Sequence, residues 1–205
     1  MTMIFDGSNG LTMQTWTTTS RPASPVIGQT GFNTTYNGQE VYNGSAWTLI
    51  NGGPAFSAYA GSTLSTASAA VVNVPCDTKV FDTNTCYNNT GSTVTLNGIS
   101  VTAYAFAPNV PGYYQISAGV SYQTSGNASS IYGMIYKNGS VSVRGNTVPV
   151  SSSSTFPWAT VNDLVYCNGT SDYIQFYATQ QLGSSVSINN GASGTYFKAS
   201  FVRGV

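Results

Sequence analysis

Apolar and polar residues alternate in short runs along most of this chain, and nowhere do apolar residues recur at the three- and four-residue spacing of an amphipathic helix. The stretch Tyr104–Ser117, YAFAPNVPGYYQIS, carries the pattern most clearly. Tyr104 and Phe106 fall on one side of an extended chain, and Tyr114, Ile116, Ala118 and Val120 fall on one side of the next. Between them Pro108 and Pro111 lack an amide donor and Gly112 tolerates a positive φ, so the corner must lie at the end of a sheet. The same reading predicts strands at Val71–Cys76, Lys79–Phe81, Val94–Ala107, Tyr113–Tyr122, Ile131–Lys137, Trp158–Cys167, Tyr173–Thr179 and Thr195–Val202. About eight to ten short strands punctuated by turn residues indicate an all-β sandwich or jelly roll. Phe106, Tyr114, Ile116, Phe197 and Phe201 are its expected core.

Residues 1–50 read differently. Met3–Phe5 and Leu11–Trp16 are short strand candidates around the turn dipeptide Asn9-Gly10, and Arg21-Pro22-Ala23-Ser24-Pro25 is a semi-rigid connector. Residues 26–50 then hold Asn37-Gly38 and Asn43-Gly44 between strand-like residues, which predicts a three-strand meander. It carries too few apolar residues to stand alone, so the aromatics Trp16, Phe32, Tyr42 and Trp47 of residues 1–50 are candidates for attachment to another surface. Asn51-Gly52-Gly53-Pro54 reads as a hinge, which divides the chain into a β arm (1–50), a hinge (51–54) and a head (55–205).

Composition narrows the possible partners. Charged residues make up 6% of the chain and the formal net charge is +0, which argues against nucleic acid and against an anionic membrane, both of which are bound through basic clusters. Hydrophobic residues at 41% supply enough burial to fold. No run of about 18 apolar residues is present, and MTMIFDGSNG has neither a basic start nor an apolar signal core, so folding in the cytosol is expected. Cys76, Cys86 and Cys167 are odd in number and there is no His. A Cys76–Cys86 bridge and reduced structural thiols both fit, with cytosolic assembly favouring the thiols.

Two sets of motifs carry resemblances. Arg21–Pro25 (RPASP), Gly28–Thr35 (GQTGFNTT) and Asn43–Thr48 (NGSAWT) resemble, in this order, a short module of bacteriophage tail-fibre and virion proteins. Pro54-Ala55-Phe56-Ser57-Ala58, Phe106-Ala107-Pro108, Pro111-Gly112-Tyr113-Tyr114, Tyr136-Lys137-Asn138-Gly139, Asp163-Leu164-Val165 and Gly194-Thr195-Tyr196-Phe197 resemble the globular head family of complement and tumour necrosis factor. That second resemblance spans residues 54–205 and implies a jelly roll assembling as a compact homotrimer, with the inner sheets around the threefold axis. Period-2 alternation adds that Tyr196 and Lys198 face away from Phe197, Ala199 and Phe201, and that Tyr173 and Tyr177 oppose Ile174 and Phe176. With Tyr104, these four are the candidate trimer-interface residues. No Gly-X-Y stalk accompanies the head, which points to a virion version of the fold rather than a signalling one.

Catalytic chemistry is not expected. Without His, and with acids scattered as Asp6, Glu40, Asp77, Asp82, Asp163 and Asp172, there is no local acid–base pair; a long-range pairing such as Asp77 with Asp163 is the one carboxylate arrangement left open. For Asp163, in Val161-Asn162-Asp163-Leu164, the resemblance to the globular heads implies a turn entering a core strand, so an Asx turn is expected in preference to a calcium ligand. No cofactor and no metal site is expected. Trp47 and Trp158 suit a core or interface place in preference to stacking on a sugar. The leading expectation is a phage virion structural protein, a homotrimeric capsid decoration (cement) protein partnered by itself and by the major capsid protein or another virion protein, assembled in the host cytoplasm. The alternative is the receptor-binding tip of a tail fibre that recognises a host surface glycan.

Overall fold

The computed structural model describes residues 5–6, 10–50, 52–123, 128–150 and 156–205, and these contain strands and no helix. They form two compact units, residues 1–53 with Arg203–Val205, and Pro54–Val202. The division differs from the expected 55–205 head at its far end, where the last three residues group with the arm: Thr48 Oγ1 donates to the Val205 carbonyl at 3.0 Å.

Pro54–Val202 is a sandwich of two antiparallel sheets. One, seven-stranded, runs Thr78–Asp82, Ala55–Tyr59, Tyr196–Arg203, Gly112–Gln123, Val186–Ile188, Leu64–Thr66, with Trp158–Cys167 also paired to Gly112–Gln123. The other runs Ala105–Phe106, Ile174–Gln180, Ala128–Lys137, Ser140–Arg144, with Val71–Asn73 and Val148–Val150 added to its middle strands. Alternation places Tyr114, Ile116, Ala118, Val120 and Tyr122 of one long strand inside, all at 0% exposure, opposite Ile131, Ile135, Ile174, Phe176 and Ala178 of the other sheet. At the closed end Phe56 stacks on Tyr87 (4.2 Å between ring centroids) and meets Phe106 and Phe197, each at 4.9 Å. Two of the buried tyrosines satisfy their hydroxyls by reaching backbone carbonyls: Tyr87 donates to Cys76 O (2.8 Å) and Tyr114 to Val110 O (2.7 Å).

That last bond ties the Pro108–Gly112 corner to the strand that follows it. The residue that lets another segment close on the corner is Gly169, at φ 75, where a Cβ would lie 2.6 Å from the Pro111 nitrogen. Gly112 itself opens the strand Gly112–Gln123.

Three local expectations change. Val94–Ala107 is not one strand: Asn97 and Gly98, both at positive φ, fold Val94–Leu96 back on Ile99–Val101 as a hairpin. Tyr104 is also at positive φ (51°), so it does not share a strand face with Phe106. Asp163 sits mid-strand opposite Ile116 and not in a turn; its carboxylate accepts from Leu164 N at 2.9 Å and from Ser142 Oγ at 3.2 Å.

In the arm, Thr30–Asn33, Gly38–Tyr42 and Trp47–Leu49 form an antiparallel meander, and Thr15–Trp16 adds to it in parallel as a fourth strand. Asn side chains shape both turns. Asn33 Oδ1 accepts from Thr35 N and Tyr36 N, and Asn43 Oδ1 from Ser45 N and Ala46 N. Phe5–Asp6 pairs with Gly10–Leu11; Met3, Ile4 and Asn9 lie outside the described residues.

Candidate assembly surfaces

The same alternation that fills the sandwich leaves one broad face of the seven-stranded sheet uncovered. Tyr59, Tyr196, Trp158, Tyr113, Leu164 and Tyr166 point outward from four neighbouring strands, and Trp158 (47%), Leu164 (54%), Tyr166 (39%) and Tyr113 (37%) are exposed. Register sets Tyr196 opposite Tyr59 and Tyr113 opposite Tyr166, whose rings lie 5.6 Å apart. Between Tyr196 and Trp158, whose centroids are 6.1 Å apart, the intervening strand carries Gly119. A Cβ there would sit 2.8 Å from both Trp158 Nε1 and Tyr196 Cε1, so the absence of a side chain lets the two rings settle over the sheet. Among the outward residues of these strands Lys198 is the one charged side chain, its ammonium 4.7 Å from the Tyr196 ring centre. An aromatic, nearly uncharged sheet face of this kind is suited to burial against protein.

The five candidate interface residues do not share this face. Tyr196 and Lys198 lie on it. Tyr177 lies on the outside of the opposite sheet, stacked on Tyr136 at 4.1 Å, and burial raises its hydroxyl pKa. Tyr173 packs into a satellite cluster with Ile99, Val101, Ala105 and Ala107, and Tyr104 occupies a turn with its hydroxyl over Gly91. Strand alternation identifies which residues point the same way within a strand but not which of two sheets the strand joins. Tyr59 and Gly119 are not among the candidates, and Trp158 is one only as a lone aromatic with no partner assigned to it. The signal for Trp158 was present, since it is out of phase with the apolar Ala159 and Val161 beside it.

Of the expected core residues, Phe106, Tyr114, Ile116 and Phe197 are buried, and Phe201 packs against the core while remaining half-buried.

The arm is organised around a residue that sequence reading treated as one more scattered acid. Glu40, at 0% exposure, accepts from Trp16 Nε1, from Arg21 Nε (2.8 Å) and Nη2 (2.7 Å), and from Asn33 Nδ2 (3.1 Å). Burial pulls its pKa upward, but the hydrogen bonds from Arg21, Trp16 and Asn33 outweigh that and hold it below the ordinary Glu value. The Arg of RPASP and the Asn of FNTT are therefore ligands of one carboxylate. The clue was that Arg21 and Glu40 are two of the few charges in residues 1–53. Trp16, a proposed attachment residue, is 5% exposed and internal: its ring covers Gly31, where a Cβ would be 2.1 Å away. Trp47 packs edge-on against Trp16 at 4.8 Å with Tyr42 beside it at 5.6 Å, so these aromatics are half-buried parts of one cluster, as Phe32 is half-buried in its own strand. The most exposed apolar side chains among the described residues of the arm are instead Val26 (68%) and Ile27 (78%), on a turn closed by Gln29 N donating to Val26 O at 2.9 Å.

No family model matches the sequence, and no curated protein matches it. Among solved structures, murine APRIL at pH 5.0 is similar, with a TM-score of 0.50 at 9% identity over 73% of this chain and 99% of that one. Eiger TNF from S. frugiperda (TM-score 0.45, 10% identity, 75% of this chain and 95% of that one) and the PRD1 vertex protein P5 (0.45, 17%, 74% and 99%) also resemble it. The fold is a TNF-like jelly roll.

Within this jelly roll the reactive groups are occupied or sealed. Asp77 accepts from Gly61 N and Thr78 Oγ1, while Asp163 is engaged with Ser142 and Leu164 N, so each acid of the suggested long-range pair is held by its own local partners. Asp172 is ion-paired to Lys137 at 2.9 Å; burial pushes its pKa up, but bonds from Asn138, Lys137 and the Asn168 amide more than reverse that. The three cysteines are free and buried, and burial raises Cys86 and Cys167 to about 12 and Cys76 further still, which keeps the thiols protonated and inert. Among the described residues no group of His, Cys, Asp or Glu is placed to hold a metal ion, and no helix is long and apolar enough to cross a membrane.

Proposed function

We propose that this chain is a non-enzymatic structural protein of a bacteriophage virion, a homotrimeric decoration protein on the outer surface of the capsid. The observation that carries the reading is the uncovered face around Trp158, Tyr196 and Gly119, which is too aromatic and too poor in charge to suit a free surface and is built for a second copy of the same protein. In this reading the jelly roll makes the trimer and residues 1–50 dock it to the major capsid protein or another virion protein. The likeness of Arg21–Pro25, Gly28–Thr35 and Asn43–Thr48 to a virion module supports the second part. Three arms on one trimer bind together, so weak single contacts sum to firm attachment. With a net charge of +0, partners are recognised by shape and apolar contact; nucleic acid and membranes are not among them.

Light scattering on the purified chain at micromolar concentration tests the trimer, and a stable monomer would refute it. Copy number in purified particles tests the role: hundreds per virion are expected of a decoration protein, a few dozen or fewer of a fibre.

A second reading, the receptor-binding tip of a tail fibre, is favoured by the opposite sheet. There Tyr136 stacks on Tyr177 and Arg144 lies 3.6 Å over the Tyr132 ring, a row of rings of the kind that holds a sugar face. In that case the purified trimer binds host cells and blocks infection.

A further inference from the structure

Among the described residues of the arm, the buried apolar side chains are Trp16 and Leu49. The rest of its interior is the Glu40 carboxylate and its donors, drawn from three separate segments: Trp16 from the first strand of the meander sheet, Arg21 from the connector, Asn33 from the second strand. The titratable groups facing this cluster are Arg21 and, against the guanidinium at 5.6 Å from its ring centre, Tyr36. Protonating Glu40 removes the ion pair, turns one acceptor oxygen into a donor facing other donors, and leaves Arg21 half-buried without its counter-charge. The jelly roll carries its own acid-sensitive pair, Asp172 with Lys137, but that pair lies beside a continuous apolar core that does not depend on it.

We propose that Glu40 is an acid-released latch, and that uptake of one proton there unfolds residues 1–53 while Pro54–Val202 stays folded. The sign follows from the geometry. The folded arm favours the ionised form, so its stabilisation is complete above the ordinary Glu range and is lost as the pH falls below about 4.5 toward the lower folded value. Release of the trimer from its partner by acid would follow, a consequence that rests on the attachment role proposed above; the unfolding itself does not.

The test uses the full-length chain with Trp158→Phe, so that tryptophan emission comes from the arm (Trp16 and Trp47) and tyrosine near-ultraviolet dichroism reports mainly the jelly roll. Between pH 7 and 2, emission should shift to the red in a reversible step below pH 4.5, at a pH where the dichroism is intact. Glu40→Gln should be red-shifted already at pH 7 and show no acid step. Arg21→Met combined with Glu40→Met, which replaces the pair by apolar bulk, should remove the step while keeping the emission blue. Loss of both signals in one common step overturns the proposal, as does an acid step that survives in the double methionine variant. Should that variant not fold, the urea midpoint of the arm in the Trp158→Phe chain decides: a midpoint that falls with pH supports the latch, and one that is flat from pH 6 to 3.5 overturns it. Particle binding of the wild-type chain, measured across the same range, separates the two readings, since an arm that unfolds in acid without loss of particle binding leaves the latch intact and refutes the attachment role.

Discussion

Gly31 and Asp172 show how single positions carry this fold. Gly31 has no side chain because the Trp16 ring occupies that space, and Trp16 must lie there to donate to Glu40. Gly31→Ala would displace the ring and break that bond, and a loss of about 2 kcal/mol in arm stability is expected, read from its denaturant midpoint. Asp172 is held below its ordinary 3.8 by Asn138, Lys137 and the Asn168 amide despite its burial, so it stabilises the jelly roll above that value and the contribution disappears as the pH falls below it. Thermal melts should therefore show the wild-type jelly roll losing stability as the pH falls below about 4, with Asp172→Asn less stable at neutral pH and flatter in that acid range. Neither position could be singled out in advance. A glycine in a strand and an acid beside a turn are common, and what makes these two decisive is the neighbour brought to them from 15 residues away at Trp16 and from 34 away at Asn138.

The strands Gly112–Gln123 and Trp158–Cys167 build both the core and the outer face. They pair over the whole of Gly112↔Cys167 to Ser121↔Trp158, one set of alternate residues closing the sandwich and the other presenting Tyr113, Tyr166, Leu164 and Trp158. Placing a charge on the outward set should leave the core untouched. Trp158→Glu combined with Tyr196→Glu is expected to give a folded monomer by light scattering with unchanged far-ultraviolet dichroism, whereas an unchanged oligomer would move the assembly surface elsewhere. The long strands were readable from alternation because each has one face in the core. The hairpin Val94–Leu96/Ile99–Val101 was not, since an apolar run with Asn97-Gly98 inside it reads as a strand unless the turn dipeptide is allowed to win. The split of Tyr173 and Tyr177 from Tyr196 has the same origin, because period-2 patterning is blind to which sheet a strand joins.

The whole chain is two folding units of different character, one with a large apolar core and one held by a buried ion pair. Denaturant unfolding should accordingly show two transitions, the arm first. Removing Arg203–Val205, which group with the arm through Thr48 and Val205, should lower the first midpoint and leave the second where it was. Sequence alone determined the all-β class, most of the long strands and the near-zero net charge, because each depends on local periodicity, turn chemistry or composition. Tertiary structure alone decided that Glu40 is the centre of the arm, that Trp16 is internal, that the last three residues belong to the first unit, and that Trp158 and Tyr196 meet over Gly119. Each of those is a contact between segments far apart in the chain, and such contacts are chosen by the packing of the whole molecule rather than by any local pattern.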